Sequence, residues 1–264
     1  MTIGTDKLLV ERTDGIGWLI FNQPDKRNAI SFEMWQHLPA AMAELEGDLA
    51  VRVIVVRGAG DKAFSAGADI SEFGERRSTA QDRELYEEME NAAVAALTGG
   101  DKLTIAMIDG VCVGGGAEMA MDCDILIAAD RARFAVTPAR LGIGYRHQDV
   151  ERLVRHVGPK FAKEILASGR FFTAAEALAI GWINHVVPAA ELEAFVGEYA
   201  RGIAANAPLS VRAAKLVVNE LVKPPEERDY DLCKQVVDDC YESQDYIEGQ
   251  AAFAEKRPPD FKGV

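Results

Sequence analysis

A layered α/β fold with largely parallel strands is the class this sequence predicts, and three observations predict it. Strand-like apolar runs alternate with amphipathic helical ones through the first half of the chain. Those runs are almost continuously apolar, as suits strands covered on both faces. Beyond about residue 140 strand patterns fade and helical ones dominate, so an α/β body carries a helical C-terminal extension.

The first strand is "GWLIF" (17–21). Ser31 then stands where an N-cap belongs, ahead of a helix whose apolar face is Trp35, Leu38, Met42 and Leu45. "VRVIVVRG" (51–58) is the next strand, and a helix follows from about Arg83 to Leu97. "LTIAMIDG" (103–110) and "DILIAAD" (124–130) are two more strands, separated by a helix led by Gly114, Gly115 and Gly116. Thr173 and Glu176 have capping-box spacing, and Gly181 sits where the same helix should stop. Pro188, Pro208 and the Pro224–Pro225 pair punctuate further helices, and residues 208–255 read as almost wholly helical before a polar tail. The chain has no internal repeat, low-complexity tract or long linker.

The bulk properties exclude several function classes. With 264 residues, 48% of them hydrophobic and 27% charged, the chain can bury a large core. A net charge of −13 and a pI near 4.8 argue against nucleic acid as the main partner, because phosphate binding needs a concentrated basic surface. No apolar run is long enough to span a membrane. The N-terminal stretch "MTIGTDKLLVERTDG" carries acidic residues and lacks the apolar core of a signal peptide, so the expected location is cytoplasmic. Cys112, Cys123, Cys233 and Cys240 are scattered, with no CxxC pair, and are expected to be reduced and inert. His37, His147, His156 and His185 show no metal-ligand spacing, and no metal is expected. There is no GxSxG elbow and no Walker loop, and Ser65 has no neighbouring base, so it reads as a turn residue.

The three glycines of "VCVGGGAEMAMDCD" (111–124) pose the main question, since glycine is a poor helix former. At a helix N-terminus, where backbone N–H groups are unpaired, a bare backbone lets a developing anion reach the amides. "AFSAGADISEF" (63–73) offers a second small-residue turn. One amide from each loop would form an oxyanion hole. Both turns could equally exist to pack a helix closely on a sheet. Glu118 falls in the first turn after the glycines, where it either complements the helix dipole or serves as a general base beside the hole.

Taken together, "AFSAGADISEF", "DGVCVGGGAEMAMDCDILIAADRARFAVTPARLGI", "ALAIGWINHVVP" and "AFAEKRPPDF" resemble the crotonase (enoyl-CoA hydratase/isomerase) superfamily over essentially the whole chain. The resemblance implies a β-β-α spiral core over residues 1–205 and a helical trimerisation region over 206–264. It implies CoA thioesters as substrates, with coenzyme A carried by the substrate and no separate cofactor, and a homotrimer or dimer of trimers. It places the oxyanion-hole amides on Ala68 and Gly115. It lines the CoA path with Ala66, Ala68, Asp69, Ile70 and Ser71. Lys26 and Arg27 match a basic turn near the CoA phosphates, and Lys256 with Arg257 adds charge from the C-terminal helix, from a neighbouring subunit.

Glu118 matches the first of the two catalytic glutamates of the hydratases. The second should follow a proline, but here Ala139 follows Pro138. Hydration uses one carboxylate to activate water and another to deliver a proton, so this departure bears on the reaction. Tyr145, His147 and Asp149 lie just downstream, where the family runs through a glycine-rich turn lining the acyl pocket. The "TP…LG…Y" arrangement is similar to the methylmalonyl-CoA decarboxylases of the superfamily, whose tyrosine at the Tyr145 place contacts the substrate carboxylate. Three readings follow: an enoyl-CoA hydratase or isomerase using Glu118, a decarboxylase of a 2-carboxyacyl-CoA, and a non-catalytic CoA- or RNA-binding member of the family. The acidic charge weighs against RNA, and the intact loops with Glu118 weigh against lost catalysis.

Overall fold

In the computed structural model, which describes residues 4–76 and 78–264, two sheets are wound together by one repeating path. The larger sheet has the order β1 (Leu8–Thr13), β2 (Ile16–Phe21), β3 (Val53–Gly58), β5 (Leu103–Ile108), β7 (Ile125–Ala129) and β10 (His185–Val187). The smaller sheet has the order β4 (Ala63–Ser65), β6 (Val111–Val113), β8 (Arg133–Ala135) and β9 (Phe172–Thr173). Each turn of the spiral lays one strand in the large sheet, then one in the small sheet: β3 then β4, β5 then β6, β7 then β8. The central strands of both sheets pair in parallel.

The helices are α1 (Phe32–Gly47), α2 (Phe73–Arg76), α3 (Ala80–Thr98), α4 (Gly115–Met121), α5 (Pro138–Leu141), α6 (His147–Ser168), α7 (Ala174–Ala179), α8 (Leu192–Ala204), α9 (Pro208–Leu221), α10 (Tyr230–Glu242) and α11 (Gln244–Glu255). Their local signals are those of the sequence. The Ser31 side chain accepts from the Met34 amide, and Trp35, Leu38, Met42 and Leu45 form the buried face of α1. The Thr173–Glu176 capping box is formed, and Gly181 lies just past α7 with φ of 79°. Thr79 and Asp82 form a second capping box, which starts α3 before Arg83. The short strands β4, β6, β8, β9 and β10 interrupt stretches that read as turns or helices in the sequence.

The core explains why the strands are apolar throughout. Ile54 and Val56 of β3 join the main core with α1 and α3, whereas Val53 and Val55 face Leu192, Val196 and Ala200 of α8. Both faces of the sheet are therefore dry, and burial of each such side chain contributes about 1.5–3 kcal/mol. Among the described residues, no helix is long and apolar enough to cross a membrane.

Candidate active site

The spiral itself assembles the site. Because β4 and β6 pair in parallel, with Ala63 opposite Val111 and Ser65 opposite Cys112, the loops that follow them leave the same edge side by side. β8 pairs with β6 in the same sense and delivers Thr137 and Pro138 to the same end. Ligands gather at the carboxyl ends of parallel strands for this reason: successive loops converge there.

The loop after β4 is braced from two sides. The Ala66 amide donates to Arg27 O (2.9 Å), Ile30 N donates to Gly67 O (2.8 Å), and Asp69 N donates to Ile30 O (2.9 Å). The supporting turn is held by buried Asn28, whose amide nitrogen donates to Ala59 O (3.0 Å) and Ala63 O (2.7 Å). Arg27 and Asn28 both have left-handed backbones, at φ of 53° and 54°. Lys26, carried on this turn, reaches Asp69 Oδ2 at 2.6 Å and Ser71 Oγ at 3.3 Å.

Each of the three adjacent glycines has its own physical reason. Gly114 has φ of 54° and ψ of −128°, a backbone that L side chains rarely adopt. Gly116 lies against β4, where a Cβ would come within 2.6 Å of Ser65 Cβ. Gly115 is different. A Cβ there would meet nothing closer than Ala68 N at 3.7 Å, Trp35 at 3.9 Å and Glu118 Oε2 at 4.0 Å, all ordinary contact distances. Packing does not require a bare backbone at Gly115, and the space beside it lies between the Ala68 amide and the Glu118 carboxyl. Among the described residues, neither the Ala68 nor the Gly115 N–H donates to a protein acceptor. Gly67 brings the two loops together: its φ of 95° and a position where a Cβ would fall 2.8 Å from Val113 O leave room only for hydrogen.

These groups open on a cavity of about 280 Å³. Ala66, Ala68, Ile70, Gly115, Glu118 and Tyr145 line it. Asp69, Ser71 and Lys26 stand beside its 66–70 edge, joined by the contacts above. Lys256 is exposed at the end of α11 and does not line the cavity in this chain, and Arg257 is engaged by Glu248 and Glu255. Thr137, Pro138 and Leu141 line the cavity but Ala139 does not; it is exposed. Of the two polar residues downstream of Tyr145, Asp149 faces the cavity and His147 is exposed elsewhere. Among the described residues, no cluster of three or more His, Cys, Asp or Glu is placed to hold a metal ion.

Glu118 is perturbed. Its carboxyl touches the cavity and is otherwise enclosed by protein, and this burial, with the negative charges of Asp149 and Glu90, pushes its pKa up to about 8. Arg152 opposes the shift without cancelling it. Tyr145 lines the cavity together with Glu118, and its ionisation is pushed well above the ordinary phenol range, first by burial and then by the charge of Glu118. The wall beyond Tyr145 is charged: Arg83, Glu87, Glu90, Arg146 and Asp149 line it. Sequence reasoning missed this wall except for Asp149. Its trace was the alternation of Arg146, Asp149 and Arg152 at three-residue spacing, which puts opposite charges on one helix face.

Comparison with known proteins agrees with this arrangement. The family model described as enoyl-CoA hydratase/isomerase matches residues 11–264. A crotonyl-CoA hydratase of Syntrophomonas wolfei is 33% identical over 256 residues, covering 97% of this chain and 98% of the relative. A methylmalonyl-CoA decarboxylase of Escherichia coli is 34% identical over 246 residues, covering 92% of this chain and 93% of the relative. The crystal structure of an enoyl-CoA hydratase/carnitine racemase from Magnetospirillum magneticum superposes with a TM-score of 0.92 at 35% identity, covering 99% of this chain and 97% of that one. Parallel winding, paired loop amides and a cavity-facing glutamate thus coincide with a match over nearly the full length, and the chain belongs to the enoyl-CoA hydratase/isomerase family.

Proposed function

We propose that this protein turns over acyl-CoA thioesters through an enolate, as an enoyl-CoA hydratase/isomerase-type enzyme in which Glu118 is the single proton-transfer carboxylate. The observation that carries this reading is the half-buried Glu118 carboxyl facing the gap between the Ala68 and Gly115 amides. A thioester oxygen in that gap accepts from both amides. As Glu118 removes a proton from the adjacent carbon, the electron pair moves onto that oxygen, where the two N–H groups stabilise it. Returning the proton to another carbon completes an isomerisation, which needs one carboxylate. The other carboxylates of the wall are engaged: Asp149 by Arg146 and Arg152, and Glu87 and Glu90 by Arg146. Hydration would require one of them to be released. Lys26 and Arg27 supply the positive charge for the CoA phosphates, with no cofactor beyond the CoA of the substrate.

A second reading has a specific observation behind it. With a pKa near 8, Glu118 is mostly protonated at neutral pH, and Tyr145 stands beside it. In a 2-carboxyacyl-CoA, loss of CO₂ leaves its bonding pair as the same enolate, and a protonated Glu118 can then deliver the proton to carbon. The two readings predict opposite pH behaviour. If Glu118 is the base, kcat/KM rises with pH and levels off above about 8; if it is the acid, kcat/KM falls there. The test is to offer crotonyl-CoA, a 3-enoyl-CoA and methylmalonyl-CoA in parallel, identify products by mass and ultraviolet absorption, and record the pH profile of whichever reacts. Turnover of methylmalonyl-CoA alone would replace the first reading by the second.

The C-terminal helices support assembly into a homotrimer or a dimer of trimers. Val218, Leu221, Val237, Tyr241, Ile247 and Phe253 on α9, α10 and α11 are exposed apolar side chains of one region, and Phe253 is 89% exposed. Such a surface is normally covered by a partner. Light scattering at micromolar concentration is expected to give the mass of a trimer or hexamer; a monomer would contradict this. Assembly would also decide whether Lys256 of a neighbouring chain reaches the CoA path.

A further inference from the structure

The turn that carries Lys26 and the loop that carries the Ala68 amide are fastened together as one unit. Ala66 N donates to Arg27 O at 2.9 Å, Ile30 N to Gly67 O at 2.8 Å and Asp69 N to Ile30 O at 2.9 Å. The last two bonds bracket Ala68 in a parallel bridge with Ile30, so the N–H of Ala68 itself is directed away from Ile30. A side-chain contact crosses the same junction: Lys26 Nζ donates to Asp69 Oδ2 at 2.6 Å and to Ser71 Oγ at 3.3 Å.

The two partners of that contact differ in burial. The Asp69 side chain is 6% exposed, and its other oxygen, Oδ1, accepts from the Ser71 amide at 3.1 Å and from the Ser71 hydroxyl at 2.6 Å. The Lys26 side chain is 52% exposed. Its ammonium has three protons to donate. Among the described residues, two of them have acceptors on Asp69 and Ser71, which leaves the third for a ligand on the exposed side. A carboxylate one lysine away from a phosphate repels it, so Asp69 weakens anion binding unless something offsets the repulsion. Order is what it supplies: a free lysine loses the rotamer freedom of its long side chain when it takes up a phosphate, and Lys26 is already held.

We propose that Asp69 is a positioning residue for coenzyme A. By holding the Lys26 ammonium against the Ala68 loop, it fixes where a CoA phosphate binds relative to the oxyanion hole. Asp69 then acts through Lys26 and does not itself touch the CoA, since both its oxygens are engaged within the protein. The inference rests on Lys26 meeting a CoA phosphate, as in the functional reading above, but it can be tested without turnover.

The experiment compares the full-length parent with Asp69→Asn, which removes the charge but can still accept from Ser71. Titration calorimetry with CoA itself is expected to show about tenfold weaker binding in the variant, the effect of leaving one long side chain for the ligand to order. Adding Asp69→Asn to Lys26→Ala should weaken CoA binding no further than Lys26→Ala alone, because the two residues act as one. In turnover, the acyl-CoA is set against the same acyl group on pantetheine, which lacks the phosphates. Asp69→Asn should lower the ratio of their kcat/KM values about tenfold. Equal losses with both thioesters would show a purely structural role, and unchanged or tighter CoA binding would show that Asp69 only repels; either overturns the proposal, as does a parent that binds no CoA. If Asp69→Asn does not fold, a crystal structure of the parent with CoA decides. Lys26 Nζ is expected within hydrogen-bond reach of both Asp69 and a phosphate oxygen, and a Lys26 that has left Asp69 or meets no phosphate would overturn it equally. Weakened CoA binding in Asp69→Asn, in a protein that turns over no acyl-CoA, would leave the positioning role standing and remove the functional reading.

Discussion

Glu118→Gln is expected to lower kcat/KM by about 10²- to 10⁴-fold, the usual contribution of a positioned acid–base group, with KM for the CoA thioester little changed. Gln keeps the shape of the side chain, so the cavity should persist while proton transfer stops. The same variant has a signature that needs no substrate. In the folded protein the carboxyl holds its proton up to about pH 8, against an ordinary value of 4.5. The unfolded chain releases that proton earlier, so the stability contributed by protonated Glu118 is fully present below the lower value and is lost as pH rises through about 8. Gln is neutral at every pH and loses nothing. Its melting temperature relative to the parent should therefore rise as pH is raised from 5 to 9. An unchanged gap across that range would show that Glu118 is not buried as a neutral acid, and unimpaired turnover would remove it from the chemistry.

Gly115→Ala is expected to fold as well as the parent and to lose activity by roughly 10²- to 10³-fold, the cost of disabling an oxyanion-hole donor. The added methyl group has room within the protein, with Ala68 N its nearest neighbour at 3.7 Å. Alanine is even favoured over glycine in a helix by about 1 kcal/mol. The methyl group would, however, fill the space the thioester oxygen must enter. Gly116→Ala makes the contrast: there the methyl group meets Ser65 Cβ at 2.6 Å and its carbonyl at 2.7 Å, so α4 must separate from β4 and the loss should appear in thermal melting. Circular dichroism melts and kinetics on the two variants separate a glycine needed by a ligand from a glycine needed by packing. Full turnover in Gly115→Ala would sink the assignment of the hole.

What the sequence determined by itself was whatever is encoded within one segment. The long strands of the large sheet were legible as continuous apolar runs, because Val53 to Val56 are buried on both faces. The α1 cap at Ser31 and the α7 capping box were legible because their partners lie three residues away. Gly115 and Glu118 were readable as one unit because a single turn of α4 joins them. The family pattern extended this to Ala68. The tertiary structure alone decided the rest. The strands β4, β6 and β8 are three residues each, too short to show a period, and they exist because the spiral offers each a neighbour to pair with. Their parallel pairing is what sets Ala68 beside Gly115. The individual reasons for Gly114, Gly115 and Gly116 were likewise invisible in a run of identical letters, since φ and the distance to Ser65 belong to the folded backbone. The pairing of Arg152 on α6 with both Asp149 and Asp122, at the end of α4, depends on where α6 crosses α4. Charges at three-residue spacing announce a helix face, but only packing determines which carboxyl that face will meet.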